Sequence, residues 1–75
     1  MEIKFSRHAK RRARLYKIPE STILKVLEEK VLAQGNQEII ENVEGFKHPL
    51  KIVVTVKENI MTVITNYPLK KGTKG

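Results

Sequence analysis

His8 and Arg12 stand four residues apart in the stretch SRHAKRRARLYK, residues 6 to 17, surrounded by Arg7, Lys10, Arg11, Arg14 and Lys17. Residues of these types are suited to handling RNA phosphate. An imidazole titrates near neutral pH, so it can act as base or acid toward a 2′-hydroxyl or a leaving 5′-oxygen. A guanidinium grips a phosphate with a planar fork and offsets the charge that develops at phosphorus. Farther along the chain, Lys51 offers a second phosphate-binding cation, and Tyr67 a donor or a platform for a base. His8, Arg12, Lys51 and Tyr67 form the candidate catalytic set, with His48 in the polar stretch FKHP as runner-up. The alternative for the two tyrosines is a place at the core edge with a hydrogen-bonded hydroxyl.

This chemistry calls for no metal and no cofactor. Magnesium at a phosphate needs clustered carboxylates, whereas the chain has no Asp and carries its Glu mostly between residues 20 and 44. Two histidines without cysteine do not complete a zinc site. Nor is there a nucleophile motif, a phosphate-cradling glycine loop or a redox pair; Gly35 and Gly45 stand alone and read as turns.

Position on a helix separates the cations into two groups. At about 100° per residue, Arg7, Lys10, Arg11, Arg14 and Lys17 share one side, and Ala9, Ala13, Leu15 and Tyr16 the other. The five cations read as a phosphate-binding face, with a solvated face as the alternative. Like charges at i,i+3 and i,i+4 repel, and no glutamate is interleaved to relieve them, which favours a partner. His8 and Arg12 fall outside this face, in the stripe expected to meet the rest of the fold. There Arg12 needs a carboxylate such as Glu28, a strand-end carbonyl or a phosphate. Either the two residues are structural, or they line a small cleft between helix and sheet.

The elements that must carry these residues can be read from the hydrophobic pattern. EIKF alternates as a short strand, Ser6 is a helix N-cap, and a first helix follows from Arg7 to about Lys17. Ile18-Pro19 interrupts it, and Pro19 suits the first turn of a second helix over about 20 to 30, whose apolar face holds Ile23, Leu24, Val26 and Leu27. QGNQ marks a turn, and EIIENV reads as a strand. LKIVVTV and IMTVITNY, joined at Glu58-Asn59, read as a hairpin with Asn59 able to take a positive φ and with Val54 and Ile64 facing the helices. The resulting order is β-α-α-β-β-β: an α+β domain over residues 1–68, with two N-terminal helices on one face of a small antiparallel sheet, and a flexible basic tail over 69–75.

Charge is unevenly distributed. The first 17 residues carry seven Lys/Arg and one Glu, residues 18 to 46 two Lys and six Glu, and the remainder six Lys and one Glu. A formal net charge of +7 on 75 residues, split in this way, points to a polyanion on one surface, a nucleic acid above all, and leaves another surface for a different partner. With no cysteine to form disulfides, stability rests on apolar packing, which a homodimer would reinforce. The N-terminus lacks the apolar core of a signal peptide, and no run is long enough to span a membrane, so a cytoplasmic location is expected.

Ser6, His8, Ala9, Arg12, Ile18 and Glu20, followed by Val63, Ile64, Thr65, Tyr67 and Pro68, match a pattern. The chain resembles a family of small prokaryotic proteins of uncharacterised function, with a Ser-x-His-Ala-x-x-Arg helix and a last strand reading Val-Ile-Thr-x-Tyr-Pro. That family looks similar to the RelE/ParE and BrnT toxins of toxin–antitoxin pairs. Where the family usually has Arg and Gly, this chain has Tyr16 and Lys17, and Pro19 replaces a capping Ser. The resemblance implies a RelE/ParE-like fold, a toxin-like RNA-binding protein or metal-independent endoribonuclease, and an antitoxin as protein partner. The residues leave open two further readings: a non-catalytic nucleic-acid-binding module, and an interaction domain for an acidic protein.

Overall fold

A computed structural model describes residues 2–30 and 32–69. The elements run β1 (Glu2–Phe5), α1 (Arg7–Leu15), α2 (Glu20–Glu28), β2 (Gly35–Glu41), β3 (Leu50–Lys57) and β4 (Ile60–Pro68). This is the α+β architecture expected, with the elements in the order expected. β2, however, begins at Gly35, inside the stretch read as a turn, because Gly35 to Gln37 already pair with Val56 to Val54. It ends at Glu41, two residues short of Val43. Apart from Leu69, the basic tail lies outside the described residues.

The sheet has the order β1-β4-β3-β2 and is mixed, not antiparallel as expected. β2–β3 and β3–β4 are antiparallel, but β1 lies parallel to β4, with Ile3 opposite Met61 and Phe5 opposite Val63. The hydrophobic pattern of four residues says nothing about strand direction. The chain leaves β1 through both helices and the β2–β3 pair before β4 returns alongside it, and a parallel pair requires a crossover of that length.

One face of the sheet is apolar. Leu50, Ile52, Val54 and Val56 of β3 and Met61 and Val63 of β4 are buried there with Ala9, Ala13, Ile18, Ile23, Val26 and Leu27. Every second residue of β3 is buried, as expected of a strand with one covered face. β4 breaks that rule. Val53 pairs with Thr65 and Val54 with Val63, so Ile64 is an extra residue at a bulge. Before the bulge the odd positions Met61 and Val63 face the helices; after it Asn66 does. Ile64 is 37 % exposed and does not share the face of Val54, contrary to expectation.

α1 ends two residues earlier than expected, in a left-handed cap. Lys17 has φ +57°, its N–H donates to the carbonyl of Arg14 (3.2 Å), and the N–H of Ile18 donates to that of Ala13 (2.8 Å). This is the Schellman arrangement, which glycine normally closes. Pro19 takes the N-cap position of α2, one residue before the first turn, and its carbonyl accepts from the Thr22 N–H (3.0 Å). In the β3–β4 hairpin the positive φ falls on Glu58 (+57°), not on Asn59. The Gln34 side chain holds that turn, its Oε1 accepting from the Glu58 N–H (2.8 Å) and its Nε2 donating to the Glu58 carbonyl (3.3 Å).

Candidate nucleic-acid interface

α1 is fixed against the sheet by small residues and by three polar bonds. Ala9 and Ala13 are buried, which lets the helix backbone lie close to β4. Ser6 caps the helix: its Oγ accepts from the Ala9 N–H (3.0 Å) and donates to the Ile64 carbonyl (3.0 Å). From the sheet side, the buried Asn66 donates through Nδ2 to the Ala9 carbonyl (3.2 Å). The first turn of α1 is thereby tied to β4 at two points.

This anchoring turns Arg7, Lys10, Arg11 and Arg14 outward. All four are exposed, and together they line a shallow hollow of about 250 Å³. Lys17, also exposed, follows just past the helix end. Among the described residues none of these five cations forms an ion pair, although Lys4, Lys30 and Lys51 each have a carboxylate within 4 Å. The arrangement is costly for the helix: like charges stand one turn apart, and Arg7 sits in the first turn, at the positive end of the dipole. The acidic middle segment gathers elsewhere, around a cavity of about 420 Å³ between α2 and the end of β2, where Glu29, Glu41 and Glu44 meet Lys25, Thr22 and Asn42.

The four candidate catalytic residues divide into two pairs. Arg12 Nε donates to His8 Nε2 at 3.4 Å, so that imidazole nitrogen carries a lone pair toward the guanidinium. Neither a glutamate nor a strand-end carbonyl takes Arg12, and His8 is exposed instead of lying against the sheet. Lys51 and Tyr67 are cross-strand partners on the opposite, open face, where Lys51 Nζ reaches Glu38 at 3.3 Å. The hydrogen bond and charge of Glu38, followed by a weaker contribution from Tyr67, raise the Lys51 pKa above the usual lysine value, so Lys51 is a cation and not a base at neutral pH. The sheet separates the two pairs, so the four residues do not meet in one site. His48 is half-buried in the β2–β3 connection.

Two residues of this surface escape a reading of the sequence. Asn66 holds α1 from beneath; its only signal is an amide within a run of β-branched residues. Leu15, expected on the buried side, is 62 % exposed: at about 100° per residue it stands roughly 160° round the helix from Ala13, and Tyr16 takes the inner position. Among the described residues no group of three or more metal-ligating side chains comes together, and no helix is long and apolar enough to cross a membrane. No family model, curated protein or solved structure matches the chain. Its class is defined by architecture alone: a small α+β fold of two helices on a four-stranded mixed sheet.

Proposed function

We propose that this protein binds RNA through the outer face of α1, as a toxin-like basic protein of the cytoplasm. One observation carries the reading: cations cluster on one side of an anchored helix without a single carboxylate partner among the described residues. A polyanion relieves their repulsion and releases its own counterions in doing so. The acidic cavity beside α2 gives the molecule a charge asymmetry that favours approach by α1. The resemblance to toxin families supports the same partner, and adds an antitoxin that would cover these cations in the resting state.

A second reading, metal-independent cleavage, rests on the His8–Arg12 bond. With Arg12 turned from His8 Nε2 to the phosphate, the freed Nε2 lone pair would take the proton of a 2′-hydroxyl as its oxygen attacks the adjacent phosphorus. Arg12 would offset the charge on the phosphorane, and the 5′-oxygen would leave with a proton from solvent.

Titration of labelled RNA across salt concentrations tests both readings. Changing Arg7, Arg11 and Arg14 together to Ala should lower the logarithmic salt slope by about one unit for each phosphate that is no longer neutralised. An unchanged slope would remove α1 as the footprint. In the same samples, His8→Ala should retain binding and reduce cleavage by about 10²-fold or more. Wild-type protein that leaves RNA intact would rule out the second reading alone.

A further inference from the structure

We infer that the RNA held by α1 is double-stranded and is gripped by its backbone, an inference that rests on the RNA-binding reading above. Single strands are held largely by stacking, worth about 1–3 kcal/mol per base, on aromatic side chains interleaved with cations. The outer face of α1 offers no such platform: His8, the ring exposed on α1, lies beside the row of cations and is bonded to Arg12. Phe5 and Tyr16, the aromatic residues nearest to it in the chain, pack against the core, as does Phe46. Tyr67 belongs to the opposite face of the sheet. Among the described residues the hollow itself is lined by Arg7, Lys10, Arg11 and Arg14. A strand lying on it would gain from its phosphates alone.

On phosphates alone, a duplex is the better ligand. Double-helical nucleic acid is the denser polyanion: B-form DNA carries about one charge per 1.7 Å of axis, and each phosphate neutralised on it contributes about 0.9 to the salt slope, against about 0.7 on a single strand. The four cations span eight residues of helix, about 10 Å end to end, on an element tied to β4 through Ser6 and Asn66. A fixed row of that length suits a duplex, whose phosphates are already in place, whereas a single strand must be ordered on binding. The face also carries no amide side chain and no free hydroxyl, since the Ser6 Oγ is committed to Ala9 and Ile64. Recognition should therefore depend little on sequence.

The test is fluorescence anisotropy of the full chain with two RNA ligands: a blunt duplex of about 16 base pairs and an oligouridylate of equal strand length. Salt is varied over about 50 to 200 mM, for wild type and for the Arg7, Arg11, Arg14→Ala variant. The duplex should bind at least tenfold more tightly, with a logarithmic slope of about 3 to 4 for four neutralised phosphates, and a second duplex of unrelated sequence should bind equally well. Oligouridylate binding as tightly as the duplex, and still weakened by the triple substitution, would overturn the duplex inference and leave the RNA footprint standing. Binding of both ligands indifferent to the triple substitution would overturn the footprint and the inference together.

Discussion

The outer face of α1 and the open face of the sheet are both solvent-exposed and both carry cations, yet they treat them differently. On the sheet, Lys51 is matched to Glu38 and Lys4 to Glu2, among threonines and valines that suit a pleated surface, and only the strand-end Lys57 has no carboxylate partner among the described residues. On α1, Arg7, Lys10, Arg11 and Arg14 stand together with no acid among them. Isolated surface ion pairs add little stability, so the pairing on the sheet matters mainly for what it prevents. A lysine with its own carboxylate has less to gain from a phosphate. Unpaired cations in a row have more to gain, which is why α1 and not the sheet is the face proposed for a partner.

Both surfaces depend on one apolar layer, and the largest expected effect comes from breaking it. Val54→Asp places a carboxylate in the buried centre of β3, with no cation to pair it. The cost of burying an unpaired charge exceeds what a domain of this size holds in reserve, so the fold should be lost in far-UV circular dichroism and thermal melts. Ile64→Asp should remain folded, because the bulge exposes that residue. Two equally unfolded variants would mean that β4 has no bulge at Ile64.

That pair of residues also shows where the sequence stopped being readable. In β3 burial alternates strictly, and the strand was legible from its β-branched residues although the apolar run Ile52-Val53-Val54 hides the alternation. The β4 pattern changes parity at Ile64, and no single period of two fits both halves. Whether β1 runs parallel or antiparallel was equally closed to inspection, since strand direction follows from the path of the intervening chain. For the site, the basic face of α1 could be read directly because a helical wheel needs only sequence. The grouping of His8 with Arg12 was visible as an i,i+4 spacing. Their separation from Lys51 and Tyr67 was not, because it depends on which side of the sheet the helices cover.

The next effect concerns where the basic face ends. Lys17 occupies a left-handed position at φ +57° that a residue with a Cβ adopts at a cost of about 1–2 kcal/mol. Glycine avoids this but loses more entropy on folding, so Lys17→Gly should stabilise by about 0.5–1 kcal/mol net. For a domain of this size, that corresponds to roughly 3–6 °C in melting temperature. The same change removes one cation lying past the helix. If the footprint is the row from Arg7 to Arg14, the salt slope for RNA should hardly move. A fall of a full unit would extend the footprint past the helix end, and a lower melting temperature would refute the cap.

The smallest effect sharpens the comparison most, because it attempts to make one surface behave like the other. Glu38→Gln removes the acid that occupies Lys51 while keeping the shape of the strand. If pairing keeps the sheet cation from engaging phosphate, freeing Lys51 should add to RNA affinity, with a rise in the salt slope of less than about one unit. The structural contribution of the pair can be followed separately by pH. Glu38 raises the Lys51 pKa in the folded protein, so the contribution is fully present below the ordinary lysine value of 10.5 and is lost as pH rises through the higher folded value. Wild type should therefore melt slightly above Glu38→Gln at neutral pH, and the gap should close in strong alkali. A gap that persists there would mean Glu38 acts through packing and not through charge. RNA binding by Glu38→Gln identical to wild type, with the pH-dependent gap present, would show that a freed cation on the sheet is still out of reach of the ligand. In that case the contrast between the surfaces would be one of position, with α1 alone presented to the RNA.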